Sequence, residues 1–258
     1  MIDINIDKLL NFALDAGKLM LQSGGETYRV EDTITMICKS FGFTNVEVFA
    51  SPTTVIATIY NNNKVHTAVK RITSSQTDLY KVHCINALSR EVYENKIPLE
   101  VCEKRLKDIS NSNSYSFLKT LLFAGISTST FTVLFDGGLT EFICAFFIGI
   151  IIKLLSYKLS CLHTNEFFIN TICGGVTALL SILCLEFGFI NSLNKLVAGS
   201  IMLLVPGLAF TNALRDLLEG ELVSGVVRLG QVFFIGLSIA LGTGYILHCY
   251  YNFGGFLI

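Results

Sequence analysis

The sequence predicts an α-helical integral membrane protein, with about five transmembrane helices behind an N-terminal α+β domain on the cytoplasmic side. Three observations lead there. Hydrophobic residues make up 52% of the chain and charged residues only 15%, where a soluble chain is usually about a quarter charged. The charges are unevenly placed: residues 1–114 hold 13 Lys/Arg and 13 Asp/Glu, whereas the longer remainder holds 6 and 7. Finally, five long apolar runs follow one another after residue 114 with no polar face to show water. The expected organisation is a cytoplasmic α+β domain over 1–114 and a transmembrane helical domain over 115–258.

The elements of the first domain follow from periodicity. Ile6, Leu9, Leu10, Ala13, Gly17, Met20 and Leu21 share one helical face, and Gly24-Gly25 breaks that helix. A second helix starts at Glu26-Thr27 and runs to Phe41 on Val30, Ile34 and Ile37, with Gly42 as its C′ residue. Val46–Phe49 and Thr54–Tyr60 are rich in β-branched and aromatic residues and read as strands. Asn61-Asn62-Asn63 is a turn, and Lys64–Ile72 returns as a third strand. Asp78–Val92 and Leu99–Ile109 read as helices separated at Pro98, and Asn111–Ser116 is a short polar linker.

The expected spans are Phe117–Phe135, Leu139–Leu155, Phe167–Phe187, Leu196–Leu214 and Leu229 to the C-terminus, each near the ~20 residues that cross a bilayer core. Lys119, Glu141 and Lys153, at their edges, are expected to snorkel to the interface. The loop near Asp136 has no Lys or Arg, the next has Lys153, Lys158 and His163, the third only Lys195, and the fourth Arg215 and Arg228. By the positive-inside rule this alternation keeps the N-terminal domain in the cytoplasm and places the C-terminus outside. Met1–Leu10 has no apolar signal-peptide core, so the first span is expected to act as the membrane signal.

Composition also narrows the chemistry. A net charge of -1 gives no reason to expect a nucleic-acid partner. The eight cysteines lack C-x-x-C spacing and the four histidines lack H-x-x-x-H spacing. The cysteines therefore read as small reduced hydrophobes, with no metal and no cofactor implied. G-x-S-x-G, H-E-x-x-H and paired membrane aspartates are missing, which argues against an enzyme.

Two stretches are dense in functional residue types. In the first, Pro206-Gly207 should break the fourth span, leaving Thr211 or Asn212 to cap a new helix with Arg215 and Asp216 in its first turns. A broken helix exposes amides and a positive dipole end that attract a carboxylate, the device that transporters use. Arg215 would then attract a substrate carboxylate, Thr211 and Asn212 would add polar contacts, and Asp216 would hold Arg215 or carry a proton. The competing reading is a kinked hairpin in which Arg215, Asp216, Glu219 and Glu221 form a solvated charge cluster. The second stretch is Gly24–Asp32. There Glu26 and Thr27 would cap a helix and Arg29 would pair with Glu26 or Asp32, either as a plain helix corner or, together with Glu31, as a substrate or gating element. Gly149 and Gly174-Gly175 permit close helix packing, and Ser127, Thr128 and Ser129 could line a polar path or bond their own helix.

Several separated motifs resemble one family. Ser23-Gly-Gly-Glu-Thr-Tyr-Arg-Val-Glu-Asp-Thr33, Val46–Phe49 with Pro52-Thr53, and Asn86-Ala-Leu-Ser-Arg90 resemble the N-terminal pattern of the threonine/serine exporters. Val205-Pro-Gly, Thr211–Asp216, Gly220–Gly225 and Arg228 resemble their membrane pattern, in the right order across nearly the whole chain. Gly25 departs from the pattern, which more often has Ala. The length resembles the larger subunit of the split form of this family, similar to a succinate exporter subunit. The resemblance implies secondary export of threonine, serine or a dicarboxylate such as succinate across the cell inner membrane. It also implies a small membrane subunit as partner, and an oligomer is possible. The rival function classes are a non-transporting membrane scaffold or sensor and, more remotely, an intramembrane enzyme.

Overall fold

The computed structural model of the chain describes residues 5–62, 64–112, 115–162 and 164–252. Asn63 of the predicted turn, residues 113–114 of the predicted linker, His163 and the chain end beyond 252 lie outside the described residues. The described chain divides into two units. One comprises Met1–Ser114 together with Leu208–Gly230, the other Tyr115–Gly207 with Gln231–Ile258. The polar unit is therefore built from two stretches of chain, and the second comes from the region read in the sequence as membrane helix.

In the polar unit, α1 (Ile6–Gln22) and α2 (Thr27–Ser40) form an antiparallel corner. Its contact faces are the predicted ones: Leu9, Leu10, Met20, Val30, Ile34 and Ile37 are almost fully buried, each worth ~1.5–3 kcal/mol of transfer free energy. A Cβ at Gly17 would lie 2.9 Å from Ile34 Cγ1, so the two helices meet there at their closest. Gly42, at φ +92°, follows the α2 C-cap, where its left-handed backbone is free of the Cβ penalty. The sheet is antiparallel in the order β1-β2-β3, formed by β1 (Val46–Ser51), β2 (Thr54–Asn61) and β3 (Lys64–Arg71). Ala50, Val55, Ala57 and Ile59 face the helices. Helices α3 (Leu79–Asn95) and α4 (Leu99–Asn111) complete the core through Ile85, Leu88, Val92, Leu99 and Cys102. Lys96 turns left-handed at φ +48° to end α3, and Pro98 precedes α4.

The apolar unit contains α5 (Phe117–Leu134), α6 (Leu139–Cys161), α7 (Glu166–Glu186), α8 (Leu193–Ile201) and most of α10 (Leu222–Asn252). Four helices, α5, α6, α7 and α10, are long and apolar enough to cross a membrane. The expected fourth span differs. Helix α8 has only 9 residues, ~14 Å of rise against a hydrocarbon core of ~30 Å. The helix stops at Ile201, ahead of the Pro206 that was expected to break it, and α9 (Gly207–Leu218) starts directly after that proline. The predicted fifth span is longer than expected because α10 begins at Leu222 rather than Leu229.

Helices in the apolar unit approach through small residues. A Cβ at Gly149 would stand 2.8 Å from the Ala124 carbonyl of α5, and one at Gly174 2.9 Å from the Ile239 carbonyl of α10. Thr128 is fully buried and its hydroxyl lies 2.7 Å from the Ala145 carbonyl of α6 as well as within reach of its own helix. Ser129 donates to Phe142 O at 2.9 Å. These two hydroxyls join α5 to α6. Glu141 does not snorkel as expected. It is buried, and its carboxylate accepts from the amides of Gly138 and Asn191 and from the Thr140 hydroxyl, which caps α6 and ties the loop after α7 to it.

Candidate functional site

The two motif stretches that the sequence keeps far apart fold onto one another inside the polar unit. Helix α2 starts at Thr27, and its N-cap residue Glu26 makes no side-chain cap bond. The cap is supplied instead by Asp216 of α9, 189 residues away. Its Oδ1 accepts the Thr27 amide at 3.3 Å and its Oδ2 accepts the Thr27 hydroxyl at 3.0 Å. Free amides and a partial positive charge at a helix start favour such a carboxylate.

Asp216 is fully buried, and its counter-charge is Arg228 of α10, whose Nε lies 3.0 Å from Oδ2. The same guanidinium donates from Nη2 to the Gly25 carbonyl at 3.0 Å, and Asn212 donates to the Gly24 carbonyl at 3.0 Å. The Gly24-Gly25 corner, positive φ at Gly24 included, therefore offers two carbonyls that the α9–α10 hairpin reads directly. Gly25 is confined as well. A Cβ there would stand 2.7 Å from Met20 Cγ and 3.0 Å from Met20 O, so an alanine requires Met20 to move.

Around this buried pair lies a more open one. The Glu26 carboxylate accepts from Arg29 at 2.9 Å, as the i,i+3 spacing predicts, and also pairs with Arg215 of α9. Glu26 is 12% exposed and Arg215 51%, so this second pair reaches solvent. Glu31 closes the third side. Its carboxylate accepts the Ala50 amide at 2.8 Å, and the Ser224 hydroxyl of α10 donates to the Ala50 carbonyl at 3.1 Å. Both outward backbone groups of Ala50, on an edge strand, are thereby satisfied. Burial pushes the Glu31 carboxyl up to about 7, with Glu221, Asp32 and Asp216 adding repulsion against the pull of the Ala50 amide.

Several predicted roles change. Thr211 and Asn212 do not cap α9, which starts at Gly207; both sit within the helix, and the Thr211 hydroxyl bonds its own Leu208 carbonyl. Arg215 and Asp216 stand near the C-terminal end of α9, so its N-terminal dipole does not act on them. Asp216 binds Thr27 and Arg228 rather than Arg215. The solvated-cluster reading holds for Arg215 and Glu219, which are exposed, but not for Asp216, which has no exposed surface. Helix α9 shows two polar edges. Asn212 and Asp216, one turn apart, are buried against the α1–α2 corner, while Thr211 and Arg215, also one turn apart, are exposed. Asp32 stays exposed and takes no part in this network.

Arg228 and Ser224 were not singled out in the sequence as site residues. Both lie in quoted motif stretches, but Arg228 reads as a loop cation with Asp216, Glu219 and Glu221 all nearby, and nothing local marks it or Ser224 for a partner.

No curated protein and no solved structure matches the chain. A family model does, over residues 11–250, and that match takes in the α1–α2 corner, the α9–α10 hairpin and all four long apolar helices. Its description is putative threonine/serine exporter, and with nearly the whole chain covered, this multi-pass membrane protein belongs to the threonine/serine exporter family.

Proposed function

We propose that the chain is a subunit of a secondary transporter that exports a small carboxylate-bearing metabolite, threonine or serine first and a dicarboxylate such as succinate second. The observation that carries this reading is the family match, which spans both motif stretches of the polar unit as well as the apolar helices. The contact of those two stretches in one network supports it.

The two edges of α9 divide the work. Asn212 and Asp216 face the α1–α2 corner and hold the hairpin. Thr211 and Arg215 face outward, and Arg215 is the cation left to draw in a carboxylate, with Glu26 as the group it exchanges for substrate. A guanidinium already paired to a carboxylate offers a site of matched shape, and release of the substrate restores the internal pair. Family resemblance supplies the remaining partner, a small membrane subunit that contributes the other half of the pathway. The polar unit stays in the cytoplasm. Helix α10 opens inside that unit, up to Gly230.

Counterflow into proteoliposomes holding the chain and the small subunit tests this with threonine, serine and succinate. Exchange of at least one of the three is expected, and it should vanish when the small subunit is left out. Failure of all three with both subunits present removes the reading.

A further inference from the structure

A second polar feature of the same unit shares Arg29 with the Glu26 pair and is otherwise separate from the network around Asp216. Between α2 and α3 lies a cavity of about 200 Å³, lined among others by Tyr28, Arg29, Asp32, Asn86, Ser89 and Arg90. Its residues come from two motif stretches, Tyr28–Asp32 and Asn86–Arg90, that are about 60 residues apart in sequence. Ligand pockets for drug-sized molecules start at roughly 300 Å³, so this one suits a smaller metabolite.

Its chemistry is uneven in a useful way. Arg29 and Arg90 bring two guanidiniums and Asp32 one carboxylate. Arg29 leans on Glu26, but among the described residues Arg90 and Asp32 have no hydrogen-bond or ion-pair partner. Both are exposed at the cavity, whereas Ser89 is 1% exposed. The Ser89 hydroxyl donates to the Asn86 carbonyl at 2.9 Å, which leaves its oxygen free to accept. Among the described residues the Asn86 side-chain amide likewise has no hydrogen-bond partner, so its donors and acceptor face the cavity it lines.

We infer that this cavity is a binding site for a small zwitterion of the α-amino-acid class, its carboxylate held by Arg29 and Arg90 and its ammonium by Asp32. A simple anion such as phosphate or a dicarboxylate would satisfy the two arginines but would bring a negative charge against Asp32. A simple amine would satisfy Asp32 and repel both arginines. A zwitterion is the small ligand that answers both signs at once. The site sits in the polar unit and does not rest on the export reading; it binds whether or not the chain transports.

The test is equilibrium binding of L-serine and L-threonine to the full chain in nanodiscs, without the small subunit, with succinate and inorganic phosphate as separate ligands. Binding of an amino acid is expected, weakened at least about tenfold by Arg90→Gln and by Asp32→Asn, each of which removes one charge-assisted contact. Lys104→Gln, an exposed charge on α4 outside both the cavity and the Arg215 pair, should keep it. Both Arg90 and Asp32 are exposed, and size-exclusion profiles of the variants report whether each remains folded; Asn86→Leu, which fills the cavity without touching a charge, is a third route to the same loss. Four results overturn the inference: no amino-acid binding; binding untouched by all three substitutions; equal loss in Lys104→Gln; or succinate or phosphate binding as tightly as serine and not strengthened by Asp32→Asn. Loss of transport in counterflow with binding intact would count against the exporter reading alone.

Discussion

The two units partner most of their buried polar groups by different means, although among the described residues Ser200 Oγ in one and Arg228 Nε in the other make no hydrogen bond. In the polar unit a fully buried carboxylate, Asp216, faces a guanidinium that is 9% exposed, and both are further bonded to the α1–α2 corner. The partners lie up to 203 residues apart in the chain. In the apolar unit the buried carboxylate, Glu141, meets amides and a hydroxyl rather than a cation, and the other groups are neutral: Thr128, Ser129, Thr177 and Ser181 send their hydroxyls to carbonyls of their own helix or the adjacent one. The difference is a matter of what remains when a partner is lost. A hydroxyl that loses its carbonyl can turn back to its own helix, whereas a buried cation that loses its carboxylate has nowhere to go.

The largest expected effect follows directly. Asp216→Ala leaves Arg228 buried and uncompensated and also uncaps α2, so unfolding of the detergent-solubilised chain should become easier by about 3–5 kcal/mol. If the cost were no greater than that of removing a neutral hydroxyl, the distinction between the units would fall. Next comes Gly149→Leu. The incoming side chain meets the Ala124 carbonyl and Thr128, and overpacking of this kind costs about 1–3 kcal/mol, seen as a lower thermal midpoint of the α5–α6 pair.

The pH dependence of the polar unit is smaller and has a definite sign. Burial raises the folded carboxyl of Glu31 from 4.5 to about 7, so between those values the folded chain binds a proton that the unfolded chain has lost. Glu31 therefore lowers stability as pH rises from 4.5 to about 7, and adds no slope outside that window. Thermal midpoints of wild type and Glu31→Gln, compared across that range, should converge at the acid end and separate toward neutrality, with the variant flatter. Parallel curves would show that Glu31 titrates normally. Smallest of all is Thr128→Val. The shape is kept and the Ala145 carbonyl retains its own helix bond, so the cost should be near ~0.6 kcal/mol, the average for hydroxyl contacts between membrane helices.

Periodic features were legible in the sequence. Helices α5 and α7, both helix pairs of the polar unit and the three strands fall within a few residues of the predicted ends, because an apolar face or an apolar run repeats along the chain, whereas α6 runs on to Cys161 past the predicted Leu155 and α10 starts at Leu222 ahead of the predicted Leu229. The fourth span was misjudged for the same reason. Leu196–Leu214 is apolar by composition, yet helix α8 ends at Ile201 and the residues beyond Leu208 pack with the polar unit, which run-length alone does not encode. The site was legible as residues and not as partners. Glu26, Thr27, Arg215 and Asp216 were all singled out, but a contact across 189 residues leaves no local pattern. Local rules instead favoured Asp216 with Arg215, its neighbour in sequence. The spacing rule did succeed for Arg29 and Glu26, where both groups ride one helix.

Helix α9 has an inner edge that holds and an outer edge that works, and one paired measurement tests that division. Export flux and membrane abundance would be measured side by side for Arg215→Ala and Asp216→Ala, each with the small subunit present. Arg215→Ala should lose flux at wild-type abundance, whereas Asp216→Ala should lose abundance and flux together. Full flux in Arg215→Ala, or a matching fall in abundance for both, would contradict it.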